Sequence, residues 1–153
     1  MEGKQVFSFM TGMLGMLYLV YAGMMLYNWI VETFIREIGT LENFLGLFIP
    51  SDPGCVVALT TVGMLMLGSL HYKLDNARGI ACIFVGSLLG TGLLTIQLLV
   101  LLSDIASIGV SLLSGEMTEY MVIEDVLKPE VVLGVGSVIL LSFSMHEIHR
   151  IGR

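Results

Sequence analysis

The chain has 153 residues, 56% of them hydrophobic and only 13% charged, with a mean hydropathy of +0.91. A soluble domain carries about a quarter charged residues, so this composition cannot clothe a water-facing surface and points to a membrane protein. Seven basic against thirteen acidic residues leave a net charge of −6, which speaks against nucleic acid as a partner.

The expected fold is all-α: one integral membrane domain over residues 1–153, a four-helix transmembrane bundle with short interfacial helices. The first apolar run, Val6 to Val31, is too long for the roughly 7–15-residue core of a signal peptide, and no small-x-small pattern follows it. It reads as a transmembrane helix. At about 100° per residue, Ser8, Gly12, Gly15, Leu19 and Ala22 share one face, a ridge for close helix contact. Met10, Met13 and Met24 run opposite. A methionine stripe can hold soft copper(I), but an adaptable surface for a partner is the commoner use, and these three residues are the expected docking face. Tyr27 and Trp29 close the span with rings suited to the headgroup zone.

Glu32 to Asp52 is a mixed connection whose apolar tail, Phe44 to Pro50, is too short to cross a bilayer. The pattern predicts a short helix in the interface. Ser51-Asp52-Pro53 is a helix start, with Asp52 as cap and Pro53 in the first turn. The second span is expected at 53–72, with Gly54, Ala58, Thr61, Leu65 and Gly68 as its small-residue face. The brief link through Asp75 to Arg78 makes spans two and three an antiparallel hairpin.

Span three, about 79–102, is apolar all round except for one stripe: Gly79, Cys82, Gly86, Gly90, Gln97 and Asp104. Such a stripe marks the central packing helix of a bundle. Gly12, Gly15, Gly68, Cys82, Gly86, Gly90 and Gln97 are accordingly the expected helix-packing residues. Cys55 and Cys82 fall near opposite ends of their spans, too far apart for a disulfide. Ile105 to Leu113 stays apolar and is expected to lie along the surface. An acidic stretch from Gly115 to Glu130 precedes the fourth span, 129–149, which Pro129 opens and along which Gly134, Ser137 and Ser144 share one side.

Basic residues near span ends set orientation. Lys4, Lys73, Arg78, Arg150 and Arg153 collect on one side, against Arg36 and Lys128 on the other. Both termini are therefore expected in the cytoplasm, with most acids on the outer face.

Ionisable residues buried in a membrane usually mark a transport path, and the inner two-thirds of each span has none. Gln97 is the one strongly polar side chain at depth; with Asp104 two turns on, it could form a cation vestibule or simply fix helix packing. His71, His146 and His149 gather at the cytoplasmic end, the one place where haem or a metal could bind. Terminal histidines beside Lys73 and Arg150 more often sit at headgroup level, so no cofactor is expected. The first-span acid of small multidrug exporters is missing, as is the paired-cysteine motif of quinone-linked membrane thiol oxidoreductases.

These features favour a non-catalytic accessory subunit of a larger membrane complex, of an energy-converting or transport type, in contact with lipid and with other integral membrane subunits. The alternative is a small homo-oligomeric channel or transporter with an acidic outer vestibule. A third reading is a haem- or metal-binding electron-transfer anchor.

Overall fold

The computed structural model describes residues 2–35, 39–73, 76–114 and 126–151. Most of the expected acidic stretch, residues 115–125, lies outside them. Four helices make the bundle: α1 (Glu2–Ile30), α2 (Pro53–Leu67), α3 (Asn76–Ser114) and α4 (Pro129–Ile151). A π-helical turn, Val31–Ile35, extends α1, and a 3₁₀ helix, Gly68–Lys73, extends α2. All four are long and apolar enough to span a membrane, and successive helices run antiparallel, so both chain ends lie at one end of the bundle. We call this the terminal end and the opposite one the capped end.

Helix α2 starts as its sequence dictates. Asp52 is extended (φ −126°, ψ 108°) and its Oδ1 accepts from the backbone N–H of Gly54 at 2.8 Å, with Pro53 in the first turn. Where the apolar pattern predicts a surface helix at 44–50, the chain instead forms a hairpin of β1 (Asn43–Phe44) and β2 (Leu47–Phe48). Its two turn residues, Leu45 (φ 52°) and Gly46 (φ 78°), both occupy the left-handed region that a two-residue hairpin turn needs. The hairpin is fastened to α1. Asn28 donates to the carbonyls of Leu41 (2.8 Å) and Ile49 (3.0 Å) and accepts from the Leu41 N–H (2.8 Å), while Tyr21 donates to the Phe44 carbonyl (2.8 Å). The Phe48 N–H donates to the Leu127 carbonyl at 3.0 Å, tying the hairpin to the turn before α4. Leu47 and Ile49 then join the core beside Tyr21, Met25 and Leu133.

Close backbone approach holds α1 on α2. A Cβ on Gly15 would stand 2.9 Å from the Gly63 carbonyl oxygen, and one on Gly63 would stand 2.9 Å from that of Gly15. Gly63 lies off the small-residue face that the pattern picks out on α2. The buried face there is Leu59, Val62, Gly63 and Met66, whereas Thr61 is exposed. At the terminal end the Ser8 hydroxyl donates to the Ser69 carbonyl at 2.9 Å, and Ser69 returns a longer bond at 3.4 Å.

The expected surface segment at 105–113 is also corrected. It continues α3 without a break, making that helix 39 residues long. At 1.5 Å per residue it extends about 58 Å, against a hydrocarbon core of about 30 Å.

Candidate functional site at the capped end

Helix α3 packs on α2 through its first half and on α4 through its middle. A Cβ on Gly68 would meet the Cys82 Sγ at 2.8 Å, and one on Gly86 would meet Met66 at 3.1 Å. One turn further, Gly90 lies against the Ser137 hydroxyl, and its Cβ would stand 3.0 Å from the Tyr18 hydroxyl. Tyr18 and Ser137 share a hydrogen bond of 2.9 Å, and both are fully buried. On the next turn a Cβ on Gly134 would come within 2.6 Å of Leu94.

That register has a consequence at the capped end. Each turn up α3 matches a turn down α4, so Gln97 stands level with Glu130. Glu130 is only 3% exposed, and among the described residues neither of its carboxyl oxygens has a hydrogen-bond partner. The Gln97 amide nitrogen is likewise buried without a partner among them. The Asp52 carboxyl, the Cys55 thiol and the Lys128 ammonium all lie within electrostatic range of Glu130. The thiol donates to Asp52 Oδ2 at 3.4 Å and also lies close to the Glu130 carboxyl. The field of Glu130 also reaches the Tyr18 hydroxyl. A buried polar group without a partner is costly, a buried carboxyl above all. Its retention here singles this place out.

Reading the acidic stretch 115–130 as one solvated loop hides Glu130. The signal for it is its spacing on α4: Glu130, Ser137 and Ser144 are seven apart, hence on one face, and that face is the buried one.

The other candidate residues separate into groups. Gly12 lies against Leu70, with Cβ contact at 3.0 Å. Asp104, two turns beyond Gln97, is half-buried. Register with α2 and α4 ends near Leu98, so Leu99 to Ser114 run past the starts of both partners by about 24 Å. That overhang is largely apolar, though it carries Ser103, Asp104 and Ser107, and much of it is exposed, with Leu99 62%, Val110 67% and Leu113 90% exposed. Met10 and Met13 are exposed and line a groove of about 280 Å³ between α1 and α4, with Leu14, Leu17, Gly136 and Ile139. Met24 does not join them. It packs half-buried against the core, because the hairpin covers α1 at that level. His146 and His149 are exposed on α4, and the His71 side chain lies outside the described residues. No three His, Cys, Asp or Glu side chains converge on a metal-sized site among the described residues.

A family model described as the MJ0565 integral membrane domain matches residues 2–146. No curated protein and no solved structure matches the chain.

Proposed function

The chain belongs to the MJ0565 integral membrane domain family, and from that premise we propose that it is a non-catalytic subunit of a larger integral membrane assembly. The observation that carries this reading is the overhang of α3. A largely apolar helix end that outruns the other described helices by about 24 Å is covered neither by them nor, at that height, by the hydrocarbon of a bilayer about 30 Å thick. Another subunit with an apolar helix or groove would cover it. The Met10 and Met13 groove offers a second contact of the same kind, since methionine packs adaptably against irregular surfaces.

In this reading the terminal end faces the cytoplasm, in keeping with the bias of Lys4, Lys73, Arg78 and Arg150 to that end. The capped end and the overhang then face outward. A homo-oligomeric channel is the second reading, favoured by the buried, unpartnered amide of Gln97 near the acidic end.

Native mass spectrometry of the chain extracted from its own membranes in mild detergent tests the proposal. A stoichiometric complex with a different membrane polypeptide is expected, lost on Leu102→Glu with Val110→Glu. A complex of identical chains would favour the channel. A monomer carrying only lipid would overturn both.

A further inference from the structure

The two Glu130 carboxyl oxygens are buried at the start of α4, and neither has a hydrogen-bond partner among the described residues. The cap narrows access to them, since the hairpin is bonded to Leu127 and places Leu47 and Ile49 in the core near Leu133. No macromolecular group could reach a side chain that its own bundle leaves only 3% exposed, so the occupant must be small. An acid asks for a positive species. We propose that Glu130, with the Asp52 carboxyl within electrostatic range of it, is a binding site for a small monovalent cation entering at the capped end.

The species that fits is an alkali metal ion, which takes hard oxygen ligands such as a carboxylate. Transition metals do not fit, because the second and third nitrogen, sulfur or carboxylate ligands are not assembled among the described residues. Among the described residues, the charged and titratable groups facing the site are Asp52 and Cys55 at the start of α2, Lys128 before α4, and Tyr18 on α1. Asp52 is exposed at the rim and supplies an entry-side negative charge. The Lys128 ammonium acts on Glu130 through its field and makes no hydrogen bond to either carboxyl oxygen.

The test uses the full chain in detergent or nanodiscs. Dicyclohexylcarbodiimide is apolar and reacts with protonated carboxyls in apolar surroundings, and peptide mass mapping locates the adduct. Glu130 should be modified while exposed Glu32 and Asp52 are not. An alkali ion at about ten times its dissociation constant should slow the reaction roughly tenfold. If sodium, potassium and lithium do nothing and only the pH alters the rate, Glu130 is no more than a buried carboxyl and the proposal is overturned. Glu130→Gln should remove the adduct, and the cation or pH dependence of its thermal midpoint should disappear with it. The wild-type protein decides the question even if that variant folds poorly. A Glu130 that never reacts, or reacts at a rate indifferent to alkali ions and pH, overturns the proposal.

Discussion

Three helices meet at Gly90, where the Ser137 and Tyr18 hydroxyls occupy the space that a side chain would need. Overpacking of this sort typically costs about 1–3 kcal/mol, and here it would also break a hydrogen bond that joins α1 to α4 through the core. Gly90→Leu should therefore lower the folded yield and thermal midpoint well below those of Leu88→Phe, whose site is exposed. Equal tolerance of the two would mean that the three-helix contact is not made. Asn28 is the second residue on which much depends. Its side chain makes three hydrogen bonds to the connection between α1 and α2. Asn28→Ala leaves those backbone groups open, at about 1–3 kcal/mol for each one that stays buried, and hydrogen exchange should speed up across 41–49. Unchanged exchange there would contradict the role assigned to Asn28.

Among the elements, the two departures from the sequence pattern have different causes. The hairpin at 43–48 replaces an expected helix because Leu45-Gly46 adopts a left-handed turn, and leucine hides that preference where asparagine would announce it. Leu45→Asn should accordingly raise the thermal midpoint modestly; a fall would mean that exposed Leu45 has a contact beyond the chain worth more than its backbone strain. The uninterrupted α3 has a simpler origin. Ser103, Ser107 and Gly109 are tolerated in a helix, so polar punctuation alone does not mark its end. The small-residue ridge of α1 and the stripe of α3 are legible in the sequence because glycine spacing reports backbone approach directly. The pairing of Gly15 with Gly63 is not, since Gly63 sits among larger apolar residues and off the face that the small ones define. Glu130 is concealed by its acidic neighbours, and only the helix register sets it level with Gln97.

The whole molecule is a four-helix integral membrane protein of the MJ0565 integral membrane domain family, with both chain ends together and one helix much longer than the rest. Orientation is testable independently of any partner. With the termini cytoplasmic, a membrane-impermeant thiol reagent should label Ala77→Cys only in inverted vesicles and Leu127→Cys only in intact cells, both in a background without Cys55 and Cys82. Labelling of Ala77→Cys from outside would reverse the assignment and place the Glu130 site on the cytoplasmic side. The central claim, that the overhang of α3 is covered by another subunit, is tested most directly by photo-crosslinking in native membranes. Crosslinkers replacing Leu102 and Val110 should join the chain to one and the same second polypeptide. A crosslinker at Met13 should reach either that polypeptide or another of the assembly, while one at buried Ile83 should give only intramolecular products. Lipid adducts alone at Leu102, Val110 and Met13 would contradict the account.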